Sequence, residues 1–412
     1  MYEKLSKIYY KENSQFYQDE YHKRQSSYGT MKIPLRIKPM KSSEEYQCFY
    51  VNHSALMALF EKLFKNSKDI QEQFSKLPDP AIQKFIVSKL KEELVSTNEI
   101  EGVRSSRKQM TEVLESQHIS TTKKLRFESL VNSYAHLMAY NTTKVIAIPE
   151  DVRELYDELV ADEVKGNNVL DGKLFRLDGV EVLSPTGSQK VIHVGIYPEE
   201  KIKSKLSELL YFLNDFQAPM LFKIAISHFY FGYIHPFYDG NGRVSRYFSS
   251  LYIKKELDTL TSLTLSYATN KMKQLYYEAF QDANNPLNKG ELTFFVETFF
   301  KILDHAQENI LSELSLNVAS MEKLEFLLEA KSDELTAGEL QLLYIVGQAT
   351  IFGFSDEGIY QRELQSLDNL IIPKTNIPKS LKKLEQLESI SYTKRNPVCV
   401  ALSEALIERL YE

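Results

Sequence analysis

Between Ser54 and Ser96 apolar residues return at helical intervals, Leu56, Leu59, Phe60 and Leu63, then Ile86, Leu90 and Leu94. Pro78 and Pro80 fall between the two sets, which predicts two helices. From Thr122 the same period runs through Leu130, Tyr134, Leu137 and Met138, and again through Leu155, Leu159 and Val160. The pattern then changes. Phe175-Arg176 and Val180-Glu181-Val182 precede the turn sequence Ser184-Pro185-Thr186-Gly187-Ser188, and Val191-Ile192-His193-Val194 follows it, so a hairpin is expected inside a helical protein. Met220 to Ile234 is apolar nearly all round, as in the central buried helix of a bundle. Further helices are expected near 252–256, 269–281 and 291–316. Residues 1–45 differ, being rich in Tyr, Lys, Ser and Gln but poor in Leu, Ile and Val; so little aliphatic surface predicts an arm that orders only by docking.

Beyond Ala319 the pattern suggests a separate small domain. Leu335 to Val346 and Tyr360 to Leu367 read as helices, and a third follows Pro378 with Leu381, Leu384 and Leu387 on one face. Ile390-Ser391-Tyr392 and Val398-Cys399-Val400-Ala401-Leu402 alternate as strands around a turn at Thr393-Lys394-Arg395-Asn396-Pro397. Three helices followed by a hairpin resemble a winged helix. Residues 374–395 hold six Lys or Arg against two Glu, a local balance that suits a DNA groove, a solvated helix surface or a protein-docking face.

A chain of 412 residues should hold more than one module, and 43% hydrophobic with 26% charged residues belongs to ordinary globular proteins. No run approaches 18 apolar residues, and the N-terminal MYEKLSKIYYKENSQ lacks a secretory apolar stretch, so a cytoplasmic protein without membrane contact is expected. Cys48 and Cys399 have no metal-ligand or redox spacing and are expected to be free thiols. A formal net charge of −6 argues against coating nucleic acid by bulk electrostatics.

The segment His235-Pro236-Phe237-Tyr238-Asp239-Gly240-Asn241-Gly242-Arg243-Val244-Ser245-Arg246 directly follows the buried apolar run. Gly240 and Gly242 allow backbone N–H groups to converge on an anion, and a helix starting near Gly242 would aim its positive end there. Arg243 and Arg246 are three apart and share a face, while Val244, Phe248 and Leu251 fall on another. Asp239 offers one hard oxygen donor for Mg²⁺, and His235 titrates near neutrality and can take a proton from a hydroxyl.

HPFYDGNGRVSR resembles the signature of the Fic family, HPFx[D/E]GNGRxxR, at every fixed position. The resemblance implies a mainly α fold: a helical bundle with a β-hairpin flap, followed here by the winged-helix-like domain. On that basis residues 1–110 form an N-terminal helical region, 111–318 the catalytic core and 319–412 the C-terminal domain. The implied reaction is transfer of AMP from ATP to a Ser, Thr or Tyr hydroxyl of a protein substrate, with release of pyrophosphate. His235 would be the base and Asp239 the metal ligand. Gly240, Asn241 and Gly242 would cradle phosphates, and Arg243 and Arg246 would neutralise their charge. Val194-Gly195-Ile196-Tyr197 resembles the end of the family's flap, although Ile196 and Tyr197 replace the usual His and Pro; Tyr276, Tyr277 and Asn284 resemble its adenosine contacts. Thr97-Asn98-Glu99-Ile100-Glu101-Gly102 resembles the inhibitory motif [S/T]xxxE[G/N], which would pair Glu101 with Arg246 and misplace ATP. The same carboxylate could orient water for removal of AMP, and the motif alone leaves UMP or phosphocholine chemistry open. A competing reading is a DNA-binding regulator that only senses nucleotide, and a homodimer is compatible with either.

Overall fold

The computed structural model describes residues 2–116, 126–139, 145–160, 163–164, 166–183, 191–353 and 358–411. The expected helix start at Thr122 and the turn at 184–188 lie outside the described residues. The fold is mainly helical, with small antiparallel sheets. It divides into two compact units: residues 1–68 with 91–307, and residues 69–90 with 308–412. This differs from boundaries at 110 and 318, because residues 1–68 join the larger unit and residues 69–90 join the C-terminal one.

In the larger unit the chain opens with α1 (Leu5–Lys11), α2 (Ser14–Ser26) and the hairpin of β1 (Thr30–Ile37) and β2 (Tyr46–Val51). Residues 1–45, expected as an arm that orders by docking, hold two helices and a β-strand that bond to the body of the unit. Ile33, Leu35 and Ile37 alternate inward and are fully buried, a short β-period too sparse in aliphatics to stand out by composition. Polar anchors hold the helices. Tyr2 Oη donates to Glu291 Oε1 at 2.6 Å, Arg24 Nη1 to Glu291 Oε2 at 2.8 Å, and Tyr17 Oη to the Leu287 carbonyl at 2.7 Å.

The expected helices around Pro78 are α3 (Ser54–Phe74) and α4 (Asp79–Ile100). After α5 (Arg107–Ser116), α6 (Glu128–Ala139) and α7 (Pro149–Leu159) comes the expected hairpin, β3 (Glu181–Leu183) against β4 (Val191–Val194). Then α8 (Glu199–Asn214) leads to α9 (Met220–Ile234), which is buried on nearly every side as its composition requires. The bundle continues with α10 (Asn241–Glu256), α11 (Thr259–Ser262), α12 (Leu265–Lys271), α13 (Lys273–Ala283) and α14 (Thr293–Glu329), the last running past Ala319 without a break.

In the C-terminal unit α15 (Ala337–Ile351), β5 (Ile359–Tyr360), α16 (Gln361–Ser366) and α17 (Ile377–Gln386) precede β6 (Ile390–Arg395), β7 (Val398–Leu402) and α18 (Glu404–Tyr411). The sheet order is β5-β7-β6; two-residue β5 carries too short a pattern to read from sequence. Leu381 and Leu384 are buried, whereas Leu387 caps the end of α17 and is 36% exposed. Among the described residues no helix is long and apolar enough to cross a membrane. Cys48 and Cys399 are buried and not joined in a disulfide, as expected.

Candidate active site

The loop between α9 and α10 is built by its own residues. His235 ends α9 in the left-handed region at φ 51°, a conformation that costs a side-chain-bearing residue about 1–3 kcal/mol unless its surroundings hold it. Asn241 closes the loop: the Phe237 N–H donates to its Oδ1 at 2.9 Å, and its Nδ2 donates to the Phe237 carbonyl at 2.7 Å. Phe237 is buried and stacks on Tyr156 with ring centroids 3.9 Å apart. Gly240 has φ 81°, and a Cβ there would also meet Val160 Cγ2 at 2.9 Å. The first intrahelical bond of α10 runs from the Val244 N–H to the Gly240 carbonyl at 3.0 Å, so the N–H groups of Asn241, Gly242 and Arg243 have no acceptor within the helix. Such a nest at a positive helix end is suited to an anion.

A pocket of about 450 Å³ opens over this nest. His235, Asn241, Gly242 and Arg246 line its floor, Glu101 and Gly102 one wall, and Tyr276, Tyr277 and Asn284 another. Most residues singled out in the sequence therefore meet in one place. Burial pushes the His235 imidazole down to about 3, and His193 and Arg176 push the same way, against a bond to the Gly232 carbonyl. The ring is neutral at neutral pH, the form a base requires. Asp239 accepts the Gly240 N–H through Oδ1 at 2.6 Å and lies 3.4 Å from Asn168 Nδ2 through Oδ2.

Arg246 is buried and occupied. Its Nη2 donates to Glu101 Oε1, the Thr97 carbonyl and Thr97 Oγ1, each at 3.0 Å, and its Nε reaches Thr97 Oγ1 at 3.1 Å. Burial, the largest influence, opposes the charge, but Glu101 with Tyr276 and Tyr134 together outweigh it and raise the guanidinium above its ordinary value. α4 ends at Ile100, and Gly102 two residues on has a φ of 73°, which suits a helix stop. A Cβ on Gly242 would overlap Glu101 Oε1, so the carboxylate lies directly over the nest.

Arg243, the strand-end residues 194–197, and Asp239 with Gly240 lie outside the pocket lining, contrary to expectation. Arg243 points away from the pocket lining and pairs with Glu163 at 3.2 Å, although it shares a helix face with Arg246. Val194, Gly195, Ile196 and Tyr197 line a neighbouring depression of about 310 Å³ rather than this pocket. The Gly195 N–H is bound to the Val180 carbonyl at 2.9 Å and the Ile196 N–H to the Ile234 carbonyl at 3.0 Å, which turns this stretch outward; Val182, Leu183, Ile192 and His193 face the pocket instead. The Tyr276 hydroxyl is bonded to buried His228 at 2.8 Å, whereas Tyr277 reaches the Ile100 carbonyl at 3.4 Å. Glu163, Arg176, His193 and His228 carried no local signal, because each acts through a partner distant in sequence.

Residues 147–253 match the family described as Fic/DOC. Among solved structures, a Fic family protein from Desulfovibrio desulfuricans G20 is similar with a TM-score of 0.50 at 17% identity, over 86% of this chain and 98% of that one. Fic-1 (residues 134–508) from C. elegans gives 0.41 at 19% identity, over 63% of this chain and 74% of that one. A Fic domain containing signaling protein from Bacteroides thetaiotaomicron VPI-5482 gives 0.41 at 17%, over 62% of this chain and 95% of that one. At these identities the first likeness speaks for the fold.

Proposed function

From the premise that the chain carries a Fic/DOC family domain, whose relatives commonly transfer a nucleoside monophosphate to proteins, we propose that it is an adenylyltransferase held in check by Glu101. The observation that carries this reading is the meeting, in one pocket, of a neutral imidazole, the helix-start residues Asn241 and Gly242, and an arginine already gripped by a carboxylate. The amides and Arg246 suit the charge of a triphosphate, and Tyr276, Tyr277 and Asn284 supply a wall wide enough for a base and ribose. Among the described residues Asn284 Oδ1 is buried without a hydrogen-bond partner, which suits a donor on a ligand.

His235 takes the proton from a target Ser, Thr or Tyr hydroxyl as its oxygen bonds to the α-phosphorus of ATP, and the bond to the β-phosphate bridging oxygen breaks to release pyrophosphate. The donor set for Mg²⁺ is one carboxylate, Asp239; among the described residues no cluster of three or more His, Cys, Asp or Glu surrounds it, which suits an ion completed by phosphate oxygens and water. When bound, the ion would offset phosphate charge. With Glu101 on Arg246 the γ-phosphate loses its partner and the nest is covered, so ATP is bound out of line.

Incubation with labelled ATP and Mg²⁺ tests this. Glu101→Gly is expected to raise covalent labelling of the chain or a target by about 10- to 100-fold, the equivalent of one charge-assisted pair. His235→Ala in that background should abolish it. Equal labelling with and without Glu101 removes the brake, and no AMP adduct by mass spectrometry removes the transferase. A DNA role for the C-terminal unit would rest on exposed Lys374, Lys379, Lys382, Lys394 and Arg395, the last two also bonding Tyr360 and Glu385, while Lys383 pairs with Glu339. A winged-helix reading of that unit stands on its helix and strand order.

A further inference from the structure

The last turn of a helix leaves its carbonyls without intrahelical donors. At the end of α9, where His235 stands, those carbonyls are met by one distant stretch of chain. His193 Nε2 donates to the Tyr233 carbonyl at 2.6 Å, and the Ile196 N–H to the Ile234 carbonyl at 3.0 Å. Arg176 takes the next one: Nε and Nη2 donate to the His235 carbonyl at 2.9 and 2.7 Å, Nη2 also lies 3.4 Å from the Ile234 carbonyl, and Nη1 bonds the Asp178 carbonyl.

Arg176 is fully buried, and among the described residues it has no carboxylate within ion-pair distance. Burying a guanidinium that way is costly, and the compensation here comes from the carbonyls at the negative end of α9, the Asp178 carbonyl and the nearby Asp171 and Tyr238. The guanidinium also fixes its neighbours. A Cβ on Gly195 would overlap Arg176 Nη2 and meet His235 Cβ at 3.0 Å, so Arg176 fills the space between the strand end and the base. It lies outside the pocket lining and cannot serve as a phosphate ligand there.

We propose that Arg176 is a positioning residue for the His235 imidazole: it pins the left-handed turn at His235 and ties it to the β3–β4 hairpin. The proposal rests on the reading of His235 as the base. A segment docking on the hairpin is then joined, through His193, Ile196 and Arg176, to the residue that accepts the proton.

The test uses the full chain carrying Glu101→Gly. Adding Arg176→Gln is expected to leave ATP affinity by calorimetry within about twofold while slowing labelling at saturating ATP by about 10²-fold, as a misplacement near 1 Å would. Arg176→Lys, which keeps a cation and a donor, should recover part of that rate. Gly195→Ala, which leaves Arg176 present but displaces it, should show the same split between KM and kcat. Histidine-ring NMR without ATP, with the His235 signal assigned through His235→Ala, should show that signal moved in Arg176→Gln. An unmoved His235 signal, an unchanged rate, or a rate that falls only in step with ATP affinity overturns the proposal. A Glu101→Gly parent that transfers no label defeats the transferase reading instead, and the ring signal still decides the role of Arg176.

Discussion

His228 illustrates how much of this site is set by single residues that no motif marks. It is buried on α9, with Nδ1 2.9 Å from Ser249 Oγ and Nε2 2.8 Å from the Tyr276 hydroxyl, and burial with Arg246 nearby pushes its imidazole down to about 3. His235 is pushed to about 3 as well. In the unfolded chain both rings return to about 6.5 and bind protons that the folded protein refuses, so stability is full above that value and falls as pH drops towards 3. Each ring should remove about 2 kcal/mol between pH 7 and pH 5. Urea unfolding at the two pH values checks this, and His228→Gln should lose about half as much as the parent from these two rings; an equal loss would rule His228 out. In the sequence His228 is simply a polar residue within an apolar helix, which a satisfied core histidine explains equally well. The loop 235–246 was legible because its residues act on one another locally; helical register states which face Arg243 shares with Arg246, but only the fold reveals Glu163 opposite it.

At the scale of elements, α4 carries the brake on a single stripe: Glu93, Thr97 and Glu101 are four apart and therefore face one way. Thr97 and Glu101 hold Arg246, while the buried Glu93 carboxylate accepts the Ser266 N–H at 2.9 and 2.7 Å and the Tyr267 N–H at 3.1 Å, capping the start of α12. Burial raises this carboxyl above its ordinary value, and those same bonds oppose the rise. Glu93→Ala leaves two buried amides unpaired and should cost about 3 kcal/mol in urea unfolding, within the usual penalty for such groups. It should also loosen α4, so that labelling rises above wild type with Glu101 in place but not further in the Glu101→Gly background. Labelling that is unchanged in Glu93→Ala would confine Glu93 to stability. Helices with a full apolar period, α3, α4 and α9, were legible from spacing. The β1–β2 hairpin was not, because its inward row is only Ile33, Leu35 and Ile37, and its flanking helices dock through Tyr2, Tyr17 and Arg24 rather than through aliphatic faces.

At the scale of the whole molecule, chain order and packing part company, and this is what a linear reading had no means to detect. The C-terminal unit includes residues 69–90, whose side chains complete its interior. Lys84 Nζ pairs with Glu363 at 2.9 Å, Lys89 Nζ with Glu313 at 2.5 Å, and the Phe85 ring meets Phe352 edge-on at 6.2 Å. Ala81, Phe85 and Leu90 are fully buried, and so are Ile310 and Leu314 of α14. A fragment starting at 319 omits all five of these apolar side chains. Removing even two or three large buried groups costs about 2–5 kcal/mol each, which is comparable with the whole stability of a domain of that size. Residues 319–412 alone should therefore melt without a cooperative transition and bind a dye that reports exposed apolar surface, whereas residues 69–90 tethered to 308–412 should melt cooperatively by circular dichroism. If 319–412 unfolds in one sharp transition with no dye binding, the α4 segment is an accessory to that unit and the apolar contacts around Phe85 contribute little.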